Sequence, residues 1–192
     1  MKLPEVELTI EEAKDGVFAI SLVENPAIEK DFIALSSDVI ELKVIDEERQ
    51  IIVGFALVPD KRIYRRVKDT EFNIYFSSDT IRQAQELFMK QLNLQNFTLE
   101  HETETDGISV IESWIVEDPK NDKSNLYNLN AKGGEWVVMS KIDNPTVWEQ
   151  VKKGTYKGYS IEAAFSGIEK LGLSKDEEII NQLINIINGK DE

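Results

Sequence analysis

Apolar and polar positions alternate with period two over several short stretches of this chain and recur at helical spacing over a few longer ones. That pattern predicts a β-rich fold with a small number of helices. The run from Val17 ends at Asn25-Pro26 and reads as a strand entering a turn. Val39 to Val44 and Gln50 to Val58 are rich in β-branched and aromatic residues. Gly54 interrupts the second run, as a bulge or a close-approach site would. Ile63 to Tyr64 and Phe72 to Phe76 continue the β pattern around a charged loop holding Arg65 and Arg66. A helix is expected over Ile81 to Leu92, capped by Ser78 or Asp79, because Ile81, Ala84, Phe88 and Leu92 make one stripe.

Beyond that helix, Phe97, Leu99 and His101 alternate with Thr98, Glu100 and Glu102, which places His101 on a strand face with Phe97 and Leu99. The TETDG segment at 103–107 then reads as the hairpin turn, with Ile108 to Val116 as its return strand. Glu135 to Ile142 predicts another strand. Asn144-Pro145 opens a short helix that Gly154 closes. In the strand that follows, Tyr159, Ile161, Ala163 and Phe165 share one face and Ser160, Glu162 and Ala164 the other. Ser174 with Glu177 forms a capping box for an amphipathic C-terminal helix over 174–188. The coarse expectation is one domain over 1–192, of α+β class: a mostly antiparallel small β-barrel with about three helices.

Composition narrows the chemistry. The 192 residues include no Cys and one His, so thiolate nucleophiles, Cys-based metal sites and sites needing two imidazoles from one chain are excluded. A net charge of −14, from 22 Lys+Arg against 36 Asp+Glu, argues against a partner bound through phosphates, hence against nucleic acid. No apolar run approaches the ~20 residues that span a bilayer, and the start MKLPEVEL lacks a signal-peptide core, so no membrane partner and an intracellular site are expected.

Histidine is the side chain that titrates near neutrality, which makes His101 the natural general base for an alcohol nucleophile; a hydrogen-bonded strand histidine is the alternative. Ser160 lacks the GxSxG context of a nucleophile elbow. Glu100, Glu102, Glu104 and Asp106 could surround a cation, although strand alternation splits His101 from its two neighbouring glutamates and EF-hand loop spacing is missing. Arg65 and Arg66 could contact an oxyanion or simply stand solvated. Trp114, Trp136 and Trp148 fit core positions.

Taken in order, GFALVPDKRIYRR, FNIYFSSDTIRQAQELF, TLEHETE, VIESWIVEDPKNDKS, WVVMSKIDNPTVWEQVKKG and KGYSIEAAF resemble the XkdF-like phage prohead proteases across most of residues 17–165. That family is similar to the capsid maturation proteases of tailed phages and the herpesvirus assemblins, which implies a small β-barrel ringed by helices. The resemblance implies that the histidine of LEHE, His101, is the general base and that the serine of GYSIEA, Ser160, is the nucleophile. It further implies a serine endopeptidase with no cofactor, packaged in the procapsid within the host cytoplasm, acting on scaffold and major capsid proteins, with a homodimer possible. The segment ISLVENPAI looks like an element that ordinary relatives place after the serine strand, so the chain looks circularly permuted. Such relatives carry an acid just ahead of that strand, where this chain has Ala19; Glu112 and Glu162 are the candidates left for a third member, and a bare Ser–His pair or a water in the third position is the alternative. A non-enzymatic capsid or scaffold component retaining the fold is the rival reading, and a ligand-binding barrel a third.

Overall fold

A computed structural model describes residues 3–24, 42–67 and 70–168. Its strands are β1 (Glu5–Leu8), β2 (Gly16–Val23), β3 (Lys43–Asp46), β4 (Ile51–Leu57), β5 (Ile63–Val67) and β6 (Thr70–Phe76), then β7 (Phe97–Leu99), β8 (Thr103–Thr105), β9 (Ile108–Ile115), β10 (Trp136–Ile142) and β11 (Gly158–Ala164). The helices are α1 (Ser78–Lys90) and α2 (Pro145–Lys152), with short 3-10 turns at Asn93–Gln95 and Lys123–Tyr127.

The apolar runs IIVGFAL and WVVM become β4 and β10, and both are buried on both faces. Ile52, Ala56, Trp136, Val138 and Ile142 face the main core, while Ile51, Val53, Phe55, Val137 and Met139 face a second cluster with Val116, Leu129 and Ala131. Gly54 is a close-approach site: a Cβ there would lie 3.1 Å from the ring of Tyr159 on β11. Its missing side chain is what lets β11 pack against β4.

Helix α1 lays Ile81, Ala84 and Phe88 into the main core, and Phe88 meets Trp136 edge to face at 5.5 Å between centroids. Its cap is Ser77, one residue ahead of the expected pair, whose side chain accepts from Thr80 N. Asn144 caps α2 as expected, accepting from the N–H groups of Thr146 and Val147, and Pro145 occupies the first turn.

The expected closed barrel with three helices does not form. Among the described residues there are three open sheets, ordered β1-β6-β5, β3-β4-β10-β9 and β11-β2-β7-β8, and two α-helices. Closing a barrel requires the outermost strands to pair with each other, and here each sheet keeps two edges. Two pairings that period-two patterning does not encode explain the difference. β1 adds parallel to β6, and β2 inserts between β11 and β7, antiparallel to the first and parallel to the second. The C-terminal helix expected over 174–188, and residues 25–41 with their part of the expected turn and strand, lie outside the described residues. Arg65 and Arg66, expected in a loop, stand on β5. No helix among the described residues is long and apolar enough to cross a membrane.

Candidate active site

The sheet order places three hydroxyl-bearing residues in one row. Ser160 on β11 is the register partner of Ser21 on β2, and Ser21 is the register partner of Thr98 on β7. Residues directly opposite in neighbouring strands share a face, so all three hydroxyls project from the same side of the sheet. Glu162, two residues along β11 from Ser160, joins that face and is paired in register with Ala19.

His101 is not on a strand. β7 ends at Leu99, and Glu102 N donates to Leu99 O at 3.0 Å, closing a tight turn with Glu100 and His101 at its centre. Both central residues are left-handed, at φ of 52° and 57°, the φ signs of a type I′ turn. The alternation of this stretch imitates a strand because the polar residues of a tight turn fall in step with it. The expectation that His101 shares a face with Phe97 and Leu99 is therefore corrected. The same holds for the turn expected at 103–107, where β8 starts instead.

A left-handed non-glycine residue costs of order 1–3 kcal/mol and persists only where its surroundings hold it. β2 does the holding here. Glu100 N donates to Leu22 O at 3.0 Å, His101 N donates to Ser21 Oγ at 3.0 Å, and Ser21 Oγ donates onward to Thr98 O. The Glu100 carboxylate accepts from Glu24 N just past the end of β2. Nearby Tyr156 has its hydroxyl pKa raised, first by burial and then by the charge of Glu100.

The turn directs the imidazole inward. The His101 side chain is 3% exposed, and its Nδ1 lies 3.4 Å from Glu162 Oε1. Glu162 Oε1 also accepts a hydrogen bond from Thr98 Oγ1. Among the described residues neither ring nitrogen of His101 has a hydrogen-bond partner, so no such bond joins His101 to Ser160. Ser160 itself is 7% exposed.

The other candidates lie elsewhere. Glu112 is exposed on β9, in a different sheet, and pairs with Lys123. Arg65 and Arg66 are on β5, in the third sheet. Among the described residues no three His, Asp or Glu side chains converge to hold a metal ion. Trp136 and Trp148 are buried in the main core, and Trp114 packs on the second cluster, where Lys123 stands over its ring. Sequence reasoning missed Ser21 and Thr98. The signal for Ser21 was a hydroxyl inside the apolar run VFAISLV, since a buried hydroxyl must find a partner.

The family model described as "Putative phage serine protease XkdF" matches residues 38–169, more than half of the chain. The chain belongs to that family. Membership in the XkdF family supports a general phage protease role. The matched span contains His101, Glu162 and Ser160 but begins after β2, so Ser21 lies outside it. The chain is similar to "Uncharacterized protein YqbD" of Bacillus subtilis (strain 168), at 25% identity over 187 residues, covering 90% of this chain and 54% of that protein. It therefore spans about half the length of the curated relative it matches. No solved structure matches this XkdF-family chain.

Proposed function

We propose that this chain is the serine endopeptidase of tailed-phage capsid maturation, with Ser160 as nucleophile and His101 as general base. The supporting observation is that His101, a buried imidazole with neither nitrogen hydrogen-bonded, is carried by a strained turn to the sheet face that bears Ser160. Strain and unmet polar atoms in one place are what reactive sites keep and structural sites avoid.

In this reading His101 takes the proton from Ser160 Oγ as the oxygen attacks a peptide carbonyl carbon. The protonated imidazole then gives that proton to the departing amine as the C–N bond breaks. Water, deprotonated by the same imidazole, attacks the acyl-enzyme and releases the second product with Ser160 restored. No cofactor enters the cycle. Scaffold and major capsid proteins are the substrates of this proposal, and the procapsid interior is its place of action. Packaging there makes a slow protease sufficient, because enzyme and substrate are confined together at high concentration. The missing hydrogen bond between Ser160 and His101 favours the rival reading, a capsid-assembly component that keeps the fold without turnover.

Fluorophosphonate labelling mapped by peptide mass spectrometry separates the two. It is run on the wild-type chain and on His101→Ala, both dilute and in concentrated sulfate, which favours burial of apolar surface in any dimer. An adduct on Ser160 that vanishes in His101→Ala is expected. No adduct in either condition would overturn the protease reading in favour of assembly.

A further inference from the structure

We infer that Glu162 is the positioning residue of this site, fixing the tautomer and orientation of His101 so that Nε2 is the basic nitrogen. The inference rests on the serine-protease reading above and supplies the member that a Ser160–His101 pair lacks. Three observations carry it. First, a fully buried imidazole is costly unless a polar partner meets it, and the carboxylate 3.4 Å from Nδ1 is the acidic group paired with it. Second, Glu162 Oε1 is fixed by the hydroxyl of Thr98, which stands two residues before the turn that carries His101. The carboxylate is thus tied to the same hairpin as the ring it faces.

Third, the register opens the path. Glu162 lies on β11 and Thr98 on β7, with β2 between them, and Ala19 on β2 is the register partner of Glu162. A methyl group at that place leaves the face open for the glutamate to reach across. Glu112, the other candidate, is excluded by its sheet and by Lys123. Proton accounting is simple. The neutral ring carries its proton on Nδ1, facing the carboxylate, and Nε2 accepts the Ser160 proton; the imidazolium so formed is stabilised by the Glu162 charge, and Glu162 itself stays ionised.

The test uses the fact that His101 is the sole histidine of the chain. In ¹⁵N-histidine-labelled full-length protein, above the range where histidine titrates, the ring nitrogens report the tautomer without any substrate. The wild type is expected to show the Nδ1–H form, Glu162→Gln a mixture shifted toward Nε2–H, and Glu162→Asp a return toward the wild-type pattern. The rate of Ser160 labelling should fall about 10²-fold or more in Glu162→Gln, with partial recovery in Glu162→Asp. Thr98→Val, which removes the hydroxyl and keeps the carboxylate, should have the smaller effect on both readouts. A wild-type ring in the Nε2–H form would overturn the inference, as would a Thr98→Val effect equal to that of Glu162→Gln at equal urea midpoint, because Glu162 would then act only as a strut. Failure of the protease reading is distinguishable: Ser160 would stay unlabelled in every variant while the tautomer still followed residue 162.

Discussion

At the scale of single residues, Ser21 couples the fold to the proposed chemistry. It is fully buried, its hydroxyl accepts from His101 N, and the same hydroxyl donates a hydrogen bond to Thr98 O. Replacing it with alanine removes the acceptor of His101 N, and leaving a buried N–H unmet costs about 1–3 kcal/mol. Ser21→Ala should therefore lower the urea midpoint by the equivalent of about 1–3 kcal/mol and slow the labelling of Ser160, since the turn that aims His101 loses its clasp. An unchanged midpoint would mean that the contacts of Glu100 with Leu22 O and Glu24 N suffice to hold the turn. Ser160 and His101, the pair of the proposed site, come from short motifs that can be read in the sequence by resemblance. The role of Ser21 was not legible there, because it arises only when β2 lies between β11 and β7, and strand neighbours are not written in period-two alternation.

At the scale of elements, local rules read well where punctuation is chemical and poorly where it is conformational. Asn144-Pro145 and Gly154 bound α2 as expected. The turn at Glu100–His101 carries neither glycine nor asparagine, the residues that ordinarily announce a left-handed pair, and so it passed for a strand. The barrel failed for a related reason: the pattern marked most strands but neither β1 nor β8, and nothing in it specified parallel addition of β1 to β6. Two substitutions compare the forces that hold the elements. Asn144→Ala removes an acceptor from two N–H groups and should cost about 1 kcal/mol. Phe88→Ala empties the edge-to-face contact with Trp136 beneath α1 and should cost about 3–5 kcal/mol. Denaturant curves on both variants check the order. Equal losses would mean that α1 is less firmly seated on β10 than its buried stripe implies.

At the scale of the whole molecule, charge is the dominant unbalanced quantity. The chain carries −14, and net charge far from zero opposes the compact state through self-repulsion. Opposite-sign pairs work in the other direction, as with Arg82–Glu117, Lys90–Glu86 and Lys152–Glu149. These pairs are largely exposed, and exposed pairs contribute little because water and salt screen them. Salt screens both effects, and their ranges differ. The Debye length falls from about 30 Å at 0.01 M to about 8 Å at 0.15 M. That removes repulsion between distant carboxylates while leaving much of a contact pair intact. Stability should accordingly rise with sodium chloride over this range, read as an increase of a few degrees in Tm. Chloride is the right anion for this measurement, because sulfate would also strengthen apolar burial and mix two causes. The sign is the decisive result. A Tm that falls with sodium chloride would place the ion pairs above the global repulsion, and the acidic surface would then be locally compensated rather than a net load that the two apolar clusters must overcome.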